Sequence, residues 1–301
     1  LTGAGGADRL SGGDGSDSID GGAGDDAARI TRSDSAQNDT VDGGADIDTI
    51  EMSDGLSNNT LADNTINLAD LDASTLAGND AFDNFSNFEN VDVSREDTNG
   101  YVLTGDAGAN ALTGGGGADS IIGGEGADTL VGNDGNDTIT GGAGADVLTG
   151  GNGDDAFAYV ATGESQNGAL INGNNGNVSD ADVITDLSVG DAIHFNYEGN
   201  AGQIIENSTI TADATIANST KYGDLDLVSG FYDDASGTFT AGAADGTNDD
   251  LLLQWNDGFN INTIIFDGDF FDNTKERDVS IELAGLAAED TLTVEASAAV
   301  G

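Results

Sequence analysis

The chain has 301 residues, of which 56 are acidic and 7 basic, giving a formal net charge of −49. It holds 47 glycines, one Trp, one His, no proline and no cysteine. Seven scattered cations cannot build the basic surface that nucleic acid or an anionic membrane requires, no thiol is present for a disulfide or a thiolate zinc site, and no apolar run of about 18 residues offers a transmembrane span.

Acidic, glycine-rich and aromatic-poor composition is otherwise that of a disordered chain, so periodicity decides between order and disorder. The chain opens on Leu1 and its only Met is Met52, so it is expected to continue something longer or to be processed, and no signal peptide is expected at this end. From Gly3 the residues fall into nonapeptides: GAGGADRLS, GGDGSDSID from Gly12 and GGAGDDAAR from Gly21, with an isolated GGADIDTIE from Gly43. Residues 30–104 interrupt the pattern. There ADIDTIEMS, NNTLADNTINLADL and FENVDVS each suit a short strand, although Phe82, Phe85 and Phe88, spaced by three, also fit a helical turn. Residues 105–158 then form six contiguous nonapeptides: GDAGANALT, GGGGADSII, GGEGADTLV, GNDGNDTIT, GGAGADVLT and GGNGDDAFA. Gly holds positions one and four in all six, an acid or its amide holds position six, and a large apolar residue holds position eight. Disorder has no need of an aliphatic residue in every ninth place.

Each position has a chemical reason. Glycines permit tight turns and bare carbonyls, Asp adds a hard anionic oxygen, and the last residues make a short strand with one inward side chain. This pattern, G-G-x-G-x-D-x-U-x, resembles the RTX (repeats-in-toxin) calcium-binding family. The resemblance implies an all-β fold: a right-handed parallel β-roll or β-solenoid with calcium-bound turns, followed by a β-rich carboxyl-terminal capping domain. Two nonapeptides would make one turn of the coil, with each ion held between a turn and the turn 18 residues later.

The same resemblance implies ligand sets: carbonyls of positions two and four with the Asp of one turn, and carbonyls of positions one and three with the Asp of the next. In the first block these are Ala4, Gly6, Asp8, Gly21, Ala23 and Asp26, with Asp17 and Asp48 as further ligands. In the second block, Gly115, Gly117 and Asp119 face Gly132, Asp134 and Asp137. Gly124, Gly126 and Asp128 face Gly141, Ala143 and Asp146, and Asn133, Gly135 and Asp137 face Gly150, Asn152 and Asp155. A fourth set, Asp106, Gly108 and Asn110 with Gly123, Glu125 and Asp128, departs from the pattern because Asn110 is neutral, and is expected to be the weakest. Roughly five to eight ions in all would offset about +10 to +16 of the charge.

The expected organisation is a first β-roll block at 1–51, a strand-rich insertion at 52–104, the second block at 105–158 and a cap at 159–301. In the cap, Ile193, Phe195 and Tyr197 alternate as a half-buried strand. LLLQWNDGFNINTIIFDGDF suggests two strands about an Asn256-Asp257-Gly258 turn, and VSIELAGL and TLTVEA suggest two more. By resemblance, an uncleaved export signal would lie at about 250–301.

No HExxH, GxSxG, Walker loop or EF-hand is found, and His194 is expected to be structural. The chain is therefore expected not to be an enzyme. The leading expectation is a calcium-dependent structural module of a secreted bacterial surface protein, of S-layer or adhesin type. It would be exported by a type I secretion machinery and would self-associate as a homo-oligomer or lattice. The alternative is the secretion and folding tail of an exported protease, lipase or epimerase whose catalytic domain lies upstream.

Overall fold

A nonapeptide with glycines at one end and an aliphatic residue near the other makes a turn followed by a short strand. In the computed structural model the described residues are 1–13, 15–31, 39–53, 65–69, 84–95, 100–159, 175–177, 181–186, 191–195, 225–233, 238–241, 250–256, 261–266, 278–282 and 291–295. The chain divides into two units, Leu1–Ile139 with Gly151–Gly153, and Thr140–Gly150 with Asp154–Gly301.

The first unit is a coil of parallel strands. β1 (Thr2–Gly5), β3 (Ser18–Ala23), β5 (Thr40–Ala45) and β8 (Asn84–Ser86) stack in that order, all parallel. β2 (Arg9–Leu10), β4 (Ala27–Thr31), β6 (Thr49–Ser53), β9 (Asn90–Asp92), β11 (Ala111–Thr113) and β13 (Thr129–Asp134) form a second stack. β7 (Thr65–Asn67), β10 (Val102–Thr104) and β12 (Ser120–Glu125) form a third. Consecutive nonapeptides thus alternate between stacks. Where two nonapeptides complete a turn, paired residues lie 18 apart, as in Val102↔Ser120 and Ala111↔Thr129.

The interruptions leave this coil and return to it in register. Ser18 pairs with Thr40, and Thr49 with Asn90, so insertions lengthen the turn without shifting the inward face. A one-residue slip would turn every aliphatic outward. Position eight therefore makes continuous files: Ile50, Val91, Leu112 and Leu130 are consecutive partners, as are Ile66, Leu103 and Ile121, and all are buried. The helical alternative for the phenylalanines gives way to a strand. Phe85 lies in β8, and buried Phe88 meets it edge to face at 6.3 Å. Phe82 lies outside the described residues.

The second unit begins with the end of β14 (Thr138–Ala143), most of β15 (Val147–Asn152) and β16 (Ala156–Tyr159). Parallel pairing continues beyond the nonapeptides. β15 takes β18 (Asp182–Ile184) and then β23 (Ile261–Phe266), while β16 takes β19 (Ala192–Phe195) and then β24 (Asp278–Glu282). Pairing then turns antiparallel. β23 joins β22 (Asp250–Asn256), β20 (Leu225–Asp233), β21 (Thr238–Ala241) and β17 (Asn175–Asn177), and β24 joins β25 (Thr291–Glu295). The expected strands at 193–195, 250–256, 261–266, 279–282 and 291–295 are present. Asn256 pairs with Ile261, so it belongs to the strand rather than the turn, and residues 257–260 and Tyr197 lie outside the described residues. Strand β20, whose apolar residues are broken by Ser229 and Gly230, was not signalled by the sequence pattern.

Candidate metal centres

The turns owe their shape to three positions. Positions two and four of most repeats have left-handed backbones: in the turn from Gly123, Gly124 has φ 115° and Gly126 has φ 116°. Three other residues accept the strain there, Ala4 (φ 87°), Asp46 (φ 84°) and Asn133 (φ 77°). Position one is restricted by close approach instead. A Cβ on Gly3 would come within 2.5 Å of the Gly21 carbonyl oxygen and 2.7 Å of Asp8 Oδ2.

That steric map shows where the oxygens point. A Cβ on Gly22 would meet the Ala4 carbonyl oxygen at 2.7 Å, and one on Gly24 would meet that of Gly6 at 2.8 Å. The carbonyls of Ala4 and Gly6 therefore face the following turn. The Gly21 carbonyl faces back toward Gly3, and that of Ala23 faces back to accept the Gly6 N–H at 2.7 Å. Asp8 Oδ2 lies beside Gly3, and Asp26 Oδ1 accepts the Asp8 N–H at 2.8 Å. The six residues of the first-block set thus bring their oxygens to one gap between turns.

The sixth-position side chains make a ladder along the coil. Each backbone N–H at this position donates to the carboxylate of the next turn: Asp17 to Asp39, Asp26 to Asp48, Asn110 to Asp128 and Asp119 to Asp137, all at 2.8 Å. In the second unit Asp146 donates to Asp182 at 3.1 Å and Asp155 to Asp191 at 2.9 Å. One carboxylate oxygen of Asp26 and of Asp48 is used in this way. The other, Oδ2, receives no hydrogen bond in Asp17, Asp26 and Asp48, although it is shielded from solvent. A buried ionised oxygen left in this state is costly unless a cation meets it.

Burial acts on the acids directly. It pushes the carboxyls of Asp119, Asp128 and Asp137 up to about 6, against backbone hydrogen bonds that pull the other way. Asp48 is raised as well, first by burial and then by the carboxylates of Asp26, Glu89 and Asp25, with the Asp26 N–H opposing.

Two turns at the start of the second block are closed differently. There the position-two N–H folds onto the side chain of its own turn: Asp106 donates to Asn110 Oδ1 and Gly115 to Asp119 Oδ2, both at 2.8 Å. Neither turn has left-handed residues at positions two and four. Both ends of the Asn110 amide are engaged, because its Nδ2 also donates to the Glu89 carbonyl at 2.7 Å. The amide suits this slot because the preceding turn offers it an acceptor.

The remaining sets are placed as follows. Gly132 faces Gly114 across a gap, with its carbonyl 2.6 Å from where a Cβ would stand, and Asp134 donates its N–H to the Gly115 carbonyl at 3.2 Å. A Cβ on Gly135 would strike the Gly117 carbonyl. The carbonyls of Asp106 and Gly108 face Gly124 and Gly126, that of Gly123 faces Gly105, and Glu125 donates its N–H to the Asp106 carbonyl at 3.0 Å. Gly124, Gly126 and Asp128 stand in the first unit, and Gly141, Ala143 and Asp146 in the second. Asn133, Gly135, Asp137 and Asn152 belong to the first unit, where Gly135 donates to the Asn152 carbonyl at 2.8 Å; Gly150 and Asp155 belong to the second. The side chains of Glu125, Asp134, Ala143 and Asn152 are exposed, so position three has only its carbonyl to offer the gap.

Among the described residues no three acidic or histidine side chains meet as a metal cluster. The gap between Gly3–Asp8 and Gly21–Asp26 instead offers two sixth-position side chains and several backbone carbonyls. An all-oxygen set of this kind fits a hard divalent cation that takes six to eight oxygens, and the shielded Oδ2 atoms of Asp17, Asp26 and Asp48 fit its charge.

The model of the RTX calcium-binding nonapeptide repeat matches four copies, at residues 1–27, 34–50, 102–130 and 122–157. These stretches are RTX repeats. RTX repeats bind calcium and are typical of secreted proteins. No curated protein matches the chain. The RTX copies stop at residue 157, so Asp182 and Asp191 extend the ladder from outside them. Sequence reading missed these two, as well as Asp39 and Glu89. Their only signal was an acid at or one residue before the start of a short strand.

Proposed function

We propose that the chain is a calcium-dependent structural module of a secreted bacterial surface protein, of S-layer or adhesin type, exported through a type I machinery and folded outside the cell. The observation that carries this reading is the shielded, unbonded Oδ2 of Asp17, Asp26 and Asp48. Without a cation, stacked carboxylates repel one another across the gaps. The first-block residues Ala4, Gly6, Asp8, Gly21, Ala23 and Asp26 would hold one ion. Calcium supplies positive charge at the gap and adds its binding free energy to folding. Extracellular calcium modules work at about 10⁻⁴–10⁻³ M, so the chain would stay open in a calcium-poor cytoplasm and close after export.

Far-ultraviolet circular dichroism through a calcium titration tests this reading. Strand signal should be low in chelator and rise cooperatively with calcium; full strand signal in chelator would sink the idea. The surface role adds lateral assembly of copies, for which electron microscopy should show calcium-dependent arrays. Monomers insensitive to calcium would remove that role.

A further inference from the structure

The calcium ladder does not end where the recognised repeats pause. The turn Gly43–Asp48 belongs to the matched copy that ends at residue 50, and the next matched copy begins at 102. Its next neighbour in the coil is the turn between β8 and β9, which no repeat copy covers. Register identifies the equivalent positions: Asp42 pairs with Ser86 and Thr49 with Asn90, so Asn87 stands for Gly43 and Glu89 for Asp48. Three residues, Asn87–Glu89, replace the six of Gly43–Asp48.

The short turn still presents the repeat's chemistry. Glu89 Oε2 accepts the Asp48 N–H at 2.8 Å, the bond that sixth-position aspartates make elsewhere. Glutamate is one methylene longer than aspartate, which suits a turn three residues shorter. The Asn87 carbonyl lies against Gly43, where the next turn's position-one carbonyl lies in the repeats, and its Nδ2 is anchored on Asp42 Oδ1 at 2.7 Å. On the facing side, Asp48 is fully buried and its Oδ2 has no hydrogen-bond donor. That oxygen and the Asn87 carbonyl both crowd the place where a Gly43 Cβ would stand, so Oδ2 points into the gap toward the short turn.

We propose that Asp48 and Glu89, with the Asn87 carbonyl, hold one further calcium ion in this gap. The inference rests on the calcium reading of the repeats and extends it to a turn outside them. The carbonyls of Gly44 and Asp46, in the same left-handed pair as elsewhere (φ 112° and 84°), complete the protein side. Two carboxylates balance the ion's charge, and water fills the positions that the missing three residues leave.

The test is the calcium count of the whole chain by native mass spectrometry at saturating calcium, for the parent and Glu89→Gln. The amide oxygen of Gln keeps an acceptor for the Asp48 N–H while the charge is lost. The variant should carry one ion fewer. An unchanged count overturns the site while leaving the repeats' calcium intact, whereas a parent without calcium overturns the reading beneath it. Should the variant fail to gain strand structure, anomalous diffraction from parent crystals grown in calcium decides. A peak between Asp48 and Glu89 supports the site, and its absence beside filled repeat sites overturns it.

Discussion

Gly108 and Gly126 hold the same place, position four, in two RTX repeats of one sequence pattern, yet alanine should act oppositely at them. At Gly126 the backbone is left-handed (φ 116°), and a Cβ would strike the Gly108 carbonyl, with the Gly108 carbonyl carbon at 2.7 Å and the Ala109 nitrogen at 3.1 Å. The left-handed conformation costs an L-residue roughly 1–2 kcal/mol. Pushing a backbone rung aside adds about 1–3 kcal/mol, and the stiffer unfolded chain returns about 0.4–1 kcal/mol. Gly126→Ala should therefore destabilise by about 1–5 kcal/mol. Gly108 has no left-handed backbone, and its Cβ would meet only Asp106 Oδ1, at 3.2 Å, the end of a side chain that can give way. Gly108→Ala should be neutral or stabilise by up to about 1 kcal/mol. Urea unfolding at saturating calcium, followed by circular dichroism, measures both. Equal losses at the two sites would refute the turn geometry, since motif position alone would then set the cost.

Asn110→Asp should lower stability at saturating calcium by about 1–3 kcal/mol, because an acceptor would replace the Nδ2 donor facing the Glu89 carbonyl; a more stable variant would mean that the slot takes a cation like its neighbours. Leu130→Ala empties a fully buried position in the aliphatic file and should cost about 2–5 kcal/mol, while Thr129→Ala at an exposed neighbour should stay within about 0.5 kcal/mol. The pH dependence of the calcium-free chain follows from Asp119, Asp128 and Asp137, raised from 3.8 to about 6 by burial. Folded carboxyls hold protons that the unfolded chain has released, so their contribution is present below about pH 4 and is lost as pH rises through about 6. Each is worth about 1–2 kcal/mol once solvent screening is allowed for. In chelator, strand signal should be higher at pH 5 than at pH 7.5; the reverse order would contradict the burial of these groups.

The sequence by itself determined the local unit. Its period of nine assigns Leu112, Ile121 and Leu130 to the core and Asp119, Asp128 and Asp137 to the turns, and the structure buries all six. A turn followed by a strand depends on neighbours a few residues away, so a repeating local pattern suffices to specify it. Tertiary structure alone decided what stacks on what. Asp48 meets Glu89 across 41 residues, Asp146 meets Asp182 across 36, and Asn110 turns its amide toward Glu89 across 21. It also decided which turns leave an oxygen open, as at Asp26 and Asp48, and which close upon themselves, as at Asn110 and Asp119. Those outcomes depend on the donor or acceptor that the neighbouring rung presents. Insertions of unequal length choose that rung, and a nine-residue period carries no record of it.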